Sequence, residues 1–109
     1  MLIVIAALSG ALAVAAGAFG AHGASGEAAE WLKTGAMYQM IHAVAALAVI
    51  GRFGGNAVPG LFLAGGGLFA ATLYAMALGA PRWFGAITPI GGVMLIAGWL
   101  WLAWGALKG

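Results

Sequence analysis

Glu30, Thr34, Tyr38 and His42 recur every four residues, and Gln39 stands three before His42. Helical residues four apart lie one above another, so this spacing makes a slightly slanted polar stripe down one face of a helix. A stripe of this kind could relay a proton, bond a neighbouring helix or ligate a group through imidazole. His22, Thr72, Tyr74 and Thr88 complete the set of side chains that could share in such chemistry. Ligation finds little support, because His22 and His42 are twenty residues apart and neither H-x-x-x-H nor H-x-x-E-H occurs. The absence of cysteine removes thiol nucleophiles, zinc thiolates and disulfides together. Ser9 stands alone in an apolar run, and Glu27 and Glu30 have no evident nucleophile to activate. The glycine triplet Gly65 to Gly67 follows no strand, as a phosphate loop would. The five methionines read as packing rather than as a soft-metal site. The expectation is a protein that is not an enzyme and has no resident metal or cofactor.

The elements that position these residues follow from composition. Of 109 residues, 65% are apolar, 20 are glycine and 6% carry a charge, where a soluble domain has about a quarter charged. Most of the surface must therefore face lipid. A net charge of +2, carried by scattered side chains, excludes a nucleic-acid-binding surface. The charges Glu27, Glu30, Lys33, Arg52, Arg82 and Lys108 divide the chain into apolar stretches over 2–21, 35–51, 59–78 and 89–107. About 20 residues cross a hydrocarbon core, so the predicted fold is all-α: one domain over 1–109, an integral membrane bundle of four transmembrane helices with short connections. The short second span is extended by an interfacial helix over 26–34, with Ser25 placed to cap it. Thr88 reads as the N-cap of the fourth helix with Pro89 at its first position, and Pro59 can open the third.

Trp31 and Trp83 fall in the first and third connections, and Trp99, Trp101 and Trp104 toward the opposite end, as two aromatic belts. The basic residues are balanced between the two sides, and only the α-amino group tips the expectation toward cytoplasmic termini. A basic n-region is missing ahead of the first span, which is expected to be retained and not removed as a signal peptide.

Taking the interface near Thr34, a rise of about 1.5 Å per residue puts His42 roughly 12 Å inward. An ionisable residue there faces the bundle interior and is a functional candidate, against the plainer reading that it bonds a neighbouring helix. Most other polar groups gather at the same end of the bundle, with Arg82 and Trp83 at the rim. Cohesion should come from small residues: Ala6 with Gly10 and Ala13 with Gly17 in the first helix, Gly67, Ala71, Ala75 and Gly79 in the third, and Gly91, Gly98 and Gly105 in the fourth. Ala71 is thereby expected in a packing face.

Four segments, GAFGAHG (17–23), YQMIHA (38–43), LFAATLYAMAL (68–78) and ITPIGGVMLIAGW (87–99), in this order and spacing, closely resemble the small multi-pass membrane proteins of domain of unknown function 423, which are related to the eukaryotic transmembrane protein 256. The resemblance covers nearly the whole chain. It implies a four-span protein of the bacterial inner membrane, and since the family has no established activity it assigns no catalytic or binding residue. It does draw attention to His22, Tyr38, Gln39, His42, Thr88 and Pro89.

The first functional expectation is a membrane scaffold or accessory subunit, seated in the lipid bilayer and held to a partner, either another copy or a larger membrane complex. The second is a small oligomeric transporter or proton-handling protein using the stripe that ends at His42. The third is haem, quinone or metal binding through His22 and His42.

Overall fold

The computed structural model describes residues 1–52 and 55–109. Its helices are α1 (Leu2–His22), α2 (Gly26–Val49), α3 (Ala57–Ala77) and α4 (Thr88–Lys108), with a 3-10 turn over Arg82–Ala86 before α4. No strand occurs among the described residues. Stretches rich in Ala, Leu and Met favour helix, and away from its ends a helix pairs its backbone groups inside the segment.

The segment over 26–34 is continuous with the second apolar stretch, giving one helix of 24 residues. Ser25 holds the cap position in extended conformation, but its side chain makes no capping bond. At the other end of α2, Ile50 and Gly51 form a type II turn closed by Arg52 N–H on the Val49 carbonyl at 3.0 Å, and Gly51 takes the left-handed φ of 79° that this turn requires. Pro59 lies in the first turn of α3 but does not open it; the helix starts at Ala57.

The beginning of α4 differs from the expected cap. The 3-10 turn feeds directly into it, so Ile87 is already in the right-handed helical region and takes the cap position, with Thr88 as the first helical residue and Pro89 the second. The Thr88 hydroxyl is thus available to a neighbouring helix.

The helices α1 to α4 form an open array measuring 46 × 25 × 19 Å. Each packs on its neighbours in sequence; α1 also touches α3 lightly, and α1 and α4 form no packed interface among the described residues. The larger apolar cluster lies toward the chain termini, where Ala6, Ala43, Ala46, Val49, Val58, Phe62, Leu63 and Leu95 are buried together, and a smaller one joins Ala16, Leu32 and Ala36 between α1 and α2.

Small residues set the approach of the helices. A Cβ on Gly91 would stand 2.6 Å from the Phe69 nitrogen and 2.8 Å from the Gly65 carbonyl oxygen, so α3 and α4 touch backbone to backbone. A Cβ on Gly98 would meet the Phe62 ring at 2.8 Å, and one on Gly20 would meet Leu32 at 3.0 Å. The column proposed for α3 is not a packing face. Ala71 is exposed and nothing lies within 4 Å of a Cβ on Gly67. Gly79 lies beyond the helix, where with φ 110° it makes a Schellman cap: its own N–H bonds Met76 and that of Ala80 bonds Ala75. The inner face of α3 is instead Val58, Phe62, Gly65, Gly66, Leu73 and Met76, since two neighbouring helices demand a wide stripe that a single four-residue column cannot supply.

Candidate functional site

Two polar side chains of α2 lie between its neighbours. Gln39 and His42 are 5% and 6% exposed, so each must find partners within the protein. Gln39 uses both ends of its amide: Nε2 donates to Ser9 Oγ at 3.0 Å and Oε1 accepts from the Tyr74 hydroxyl at 2.7 Å. One side chain on α2 thereby ties α1 to α3. Gly35 makes room for this, because the Tyr74 ring passes within 2.7 Å of where its Cβ would be.

His42 is likewise used at both ring nitrogens. Nδ1 lies 2.7 Å from the Tyr38 carbonyl oxygen, and Nε2 accepts from the Trp99 indole N–H at 2.9 Å. A carbonyl only accepts and an indole only donates, so the pair of contacts assigns the neutral tautomer with hydrogen on Nδ1. The ring sits among aromatics, 5.5 Å from Phe62 and 5.8 Å from Trp99, with Tyr38 stacked a turn away at 6.3 Å. No lone pair remains on His42 for a metal or haem iron in this arrangement.

A third polar link joins α3 to α4. The Thr72 and Thr88 hydroxyls are 2.6 Å apart, and Thr72 also reaches the Phe69 carbonyl oxygen at 3.0 Å. The consistent chain has Thr88 donating to Thr72 and Thr72 donating to Phe69. Above these bonds, at the exposed end, Arg82 pairs with Glu27 and stands 5.5 Å from the Trp31 ring, bridging the third connection to the start of α2.

The remaining candidates stand apart. Glu30 is exposed, Thr34 is half-buried, and Tyr38 turns its ring outward against Phe69 at 4.5 Å. The stripe therefore does not act as one line: only His42 and its flanking Gln39 enter the interior. His22 is exposed in the last turn of α1, beside the start of α2, whereas His42 lies 16 residues along α2, about 24 Å at helical rise. The two histidines share no site. Among the described residues no cluster of three or more His, Cys, Asp or Glu side chains could hold a metal ion.

Two participants escaped the sequence reading. Ser9 is not isolated; it receives Gln39, and its position three after Ala6 and four before Ala13 puts it on the small-residue face of α1. That register was a usable signal. Trp99 is the other. It lies about 17 Å from the first residue of α4 and about 14 Å from the last, and its indole is spent on His42. No local pattern distinguishes it from Trp101 or Trp104.

Beside His42 an open cleft of about 350 Å³ lies between α2 and α4, lined by Tyr38, His42, Phe69, Gly92, Leu95, Ile96 and Trp99.

Among the described residues three helices are long and apolar enough to cross a membrane, and large apolar side chains such as Ile3, Leu8, Val93, Ile96 and Leu100 are exposed over α1 and α4. An apolar exterior around a hydrogen-bonded polar interior defines the class: a helical membrane protein. The family model for "Protein of unknown function (DUF423)" matches residues 16–92, and the chain belongs to this family of bacterial inner-membrane proteins. It is 42% identical to a UPF0382 membrane protein of Haemophilus influenzae, over 94% of this chain and 90% of the relative. Identity is also 42% to the UPF0382 membrane protein SSP2132 of Staphylococcus saprophyticus, covering 97% and 96%. For the UPF0382 inner membrane protein YgdD of Escherichia coli K12 it is 38%, covering 98% and 89%. No solved structure matches the chain.

Proposed function

We propose that the chain crosses the bilayer four times and works as a scaffold or accessory subunit without catalytic activity, in contact with a second copy or a larger membrane complex. One observation carries this reading: the buried polar side chains Gln39, His42 and Thr72 are all engaged in interhelical or backbone hydrogen bonds, so each serves to hold the bundle together. α2 is the least apolar crossing, but it is packed against α1 and α3, and at 24 residues it reaches about 36 Å. The transport alternative finds less support. Both His42 nitrogens hold bonds, and α2 continues past it as Ala43, Val44, Ala45, Ala46 and Leu47, with no polar side chain to pass a proton on.

Solubilisation in mild detergent followed by native mass spectrometry tests the subunit role. A stable larger assembly is the expected result, and a lone monomer with nothing co-purifying would refute it. Topology is tested separately by single cysteines, for which the cysteine-free chain is a clean background. Ser25→Cys and Pro81→Cys should label from the periplasm, and Gly55→Cys and Gly109→Cys from the cytoplasm. Labelling of Ser25 and Pro81 from opposite sides would exclude four spans.

A further inference from the structure

The cleft between α2 and α4 is held open by the fold. α3 separates the two helices, the Trp99–His42 bond bridges them, and Gly92 contributes no side chain to the opening. Even a Cβ on Gly92 would meet only the Phe69 ring, at 3.9 Å. The walls are chiefly aromatic and aliphatic, and no charged residue lines them. One polar group is unspent: among the described residues the Tyr38 hydroxyl has no hydrogen-bond partner, although its ring is fixed against Phe69. Tyr38 lies one helical turn, about 6 Å, inward of Thr34, and a phenol that leaves interfacial water there gains from an acceptor within the cleft.

These features select an occupant. The cleft volume falls at the lower end of the range of about 300–1,000 Å³ that holds small ligands, enough for one substituted ring. Aromatic walls favour a flat ring. The lack of charge disfavours a phosphate headgroup, and the unpaired donor requires an acceptor oxygen, which a bare acyl chain lacks. We propose that the cleft binds the headgroup of a lipid-soluble quinone, with a ring carbonyl accepting from Tyr38 and the ring lying against Phe69 and Trp99. The tail then leaves along the exposed apolar face of α4, past Ile96 and Val93. This site uses neither histidine as a ligand. It rests on the membrane-spanning reading above and is independent of the subunit role.

The test is titration of the whole chain in phospholipid nanodiscs with decylubiquinone, read by quenching of tryptophan fluorescence. Saturable quenching is expected. Tyr38→Phe should weaken it up to about tenfold, the worth of one hydrogen bond, and Gly92→Leu, which fills the cleft, should abolish the saturable component. Neither substitution removes a hydrogen bond within the protein, and melting temperature records whether each variant is folded. Linear quenching equal in the parent chain and Gly92→Leu would overturn the proposal, as would equal displacement of the probe by decanol, which carries no ring. Carbonate extraction of the cell membranes from which the chain is purified separates the two failures: a chain that washes off refutes spanning, and one that stays without saturable quenching refutes only the quinone site.

Discussion

α2 carries Glu27, Glu30, Lys33, Gln39 and His42, yet nine of its 24 residues are buried; α4 is apolar almost throughout, and only Gly91, Leu95 and Gly98 of its 21 are buried. In water the order would be reversed. In lipid the apolar helix loses nothing by facing outward, because acyl chains solvate Ile and Leu as well as another helix does. The polar helix must be enclosed, because Gln39 and His42 have no water to bond. Burial here follows hydrogen-bonding need and close approach, not hydrophobicity.

That contrast can be broken first at the glycine seam of α4. Gly91→Leu drives a side chain into the backbone of α3 and is expected to cost about 3 kcal/mol or more, read as a large fall in melting temperature in detergent. Gly67→Leu and Ala71→Leu place the same bulk on the outward face of α3 and should leave melting nearly unchanged; a comparable loss would mean that α3 faces the other way.

Next comes the polar interior. Gln39→Leu strands the Ser9 and Tyr74 hydroxyls and is expected to cost about 1–3 kcal/mol. His42→Leu should leave insertion intact while loosening α4, since it removes the acceptor of Trp99. Trp99→Phe keeps most of the ring contact and loses only the donor, so its cost should be about 0.6 kcal/mol, and under about 1.7. A double-mutant cycle of His42→Leu with Trp99→Phe measures the bond itself, and strict additivity would show that it contributes nothing.

The smallest effect belongs to the exposed end. Arg82→Ala breaks a pair whose side chains are 73% and 53% exposed, so it should cost under about 1 kcal/mol and lose even that in high salt. A salt-insensitive loss would point to the Trp31 contact in place of the ion pair.

Much of the fold was legible along the chain. Charge positions marked the connections, and Gly91 and Gly98, seven apart, marked the face that α4 turns to α3. The error over Gly67, Ala71, Ala75 and Gly79 has a physical source: spacing puts small residues on one face without saying which neighbour, if any, that face meets. Gly79 shows the same limit, for a glycine four after Ala75 can extend a column or end a helix, and its left-handed φ decides. Thr88 looked like a cap because Pro follows it, but a preceding 3-10 turn can supply helical geometry one residue earlier.

By itself the sequence determined the solvent, the helical class and the identity of the few groups that lipid will not tolerate unpaired, because composition and periodicity are properties of the chain alone. Which of those groups meet was decided only by tertiary structure. Gln39 with Ser9 and Tyr74, and His42 with Trp99, lie 30, 35 and 57 residues apart. No local spacing encodes such pairings; they depend on the rotation of each helix about its axis, which close approach at Gly20 between α1 and α2, at Gly35 between α2 and α3, and at Gly91 between α3 and α4 constrains. The same rotations leave Tyr38 at the mouth of a cleft, where the sequence had shown only one member of a stripe.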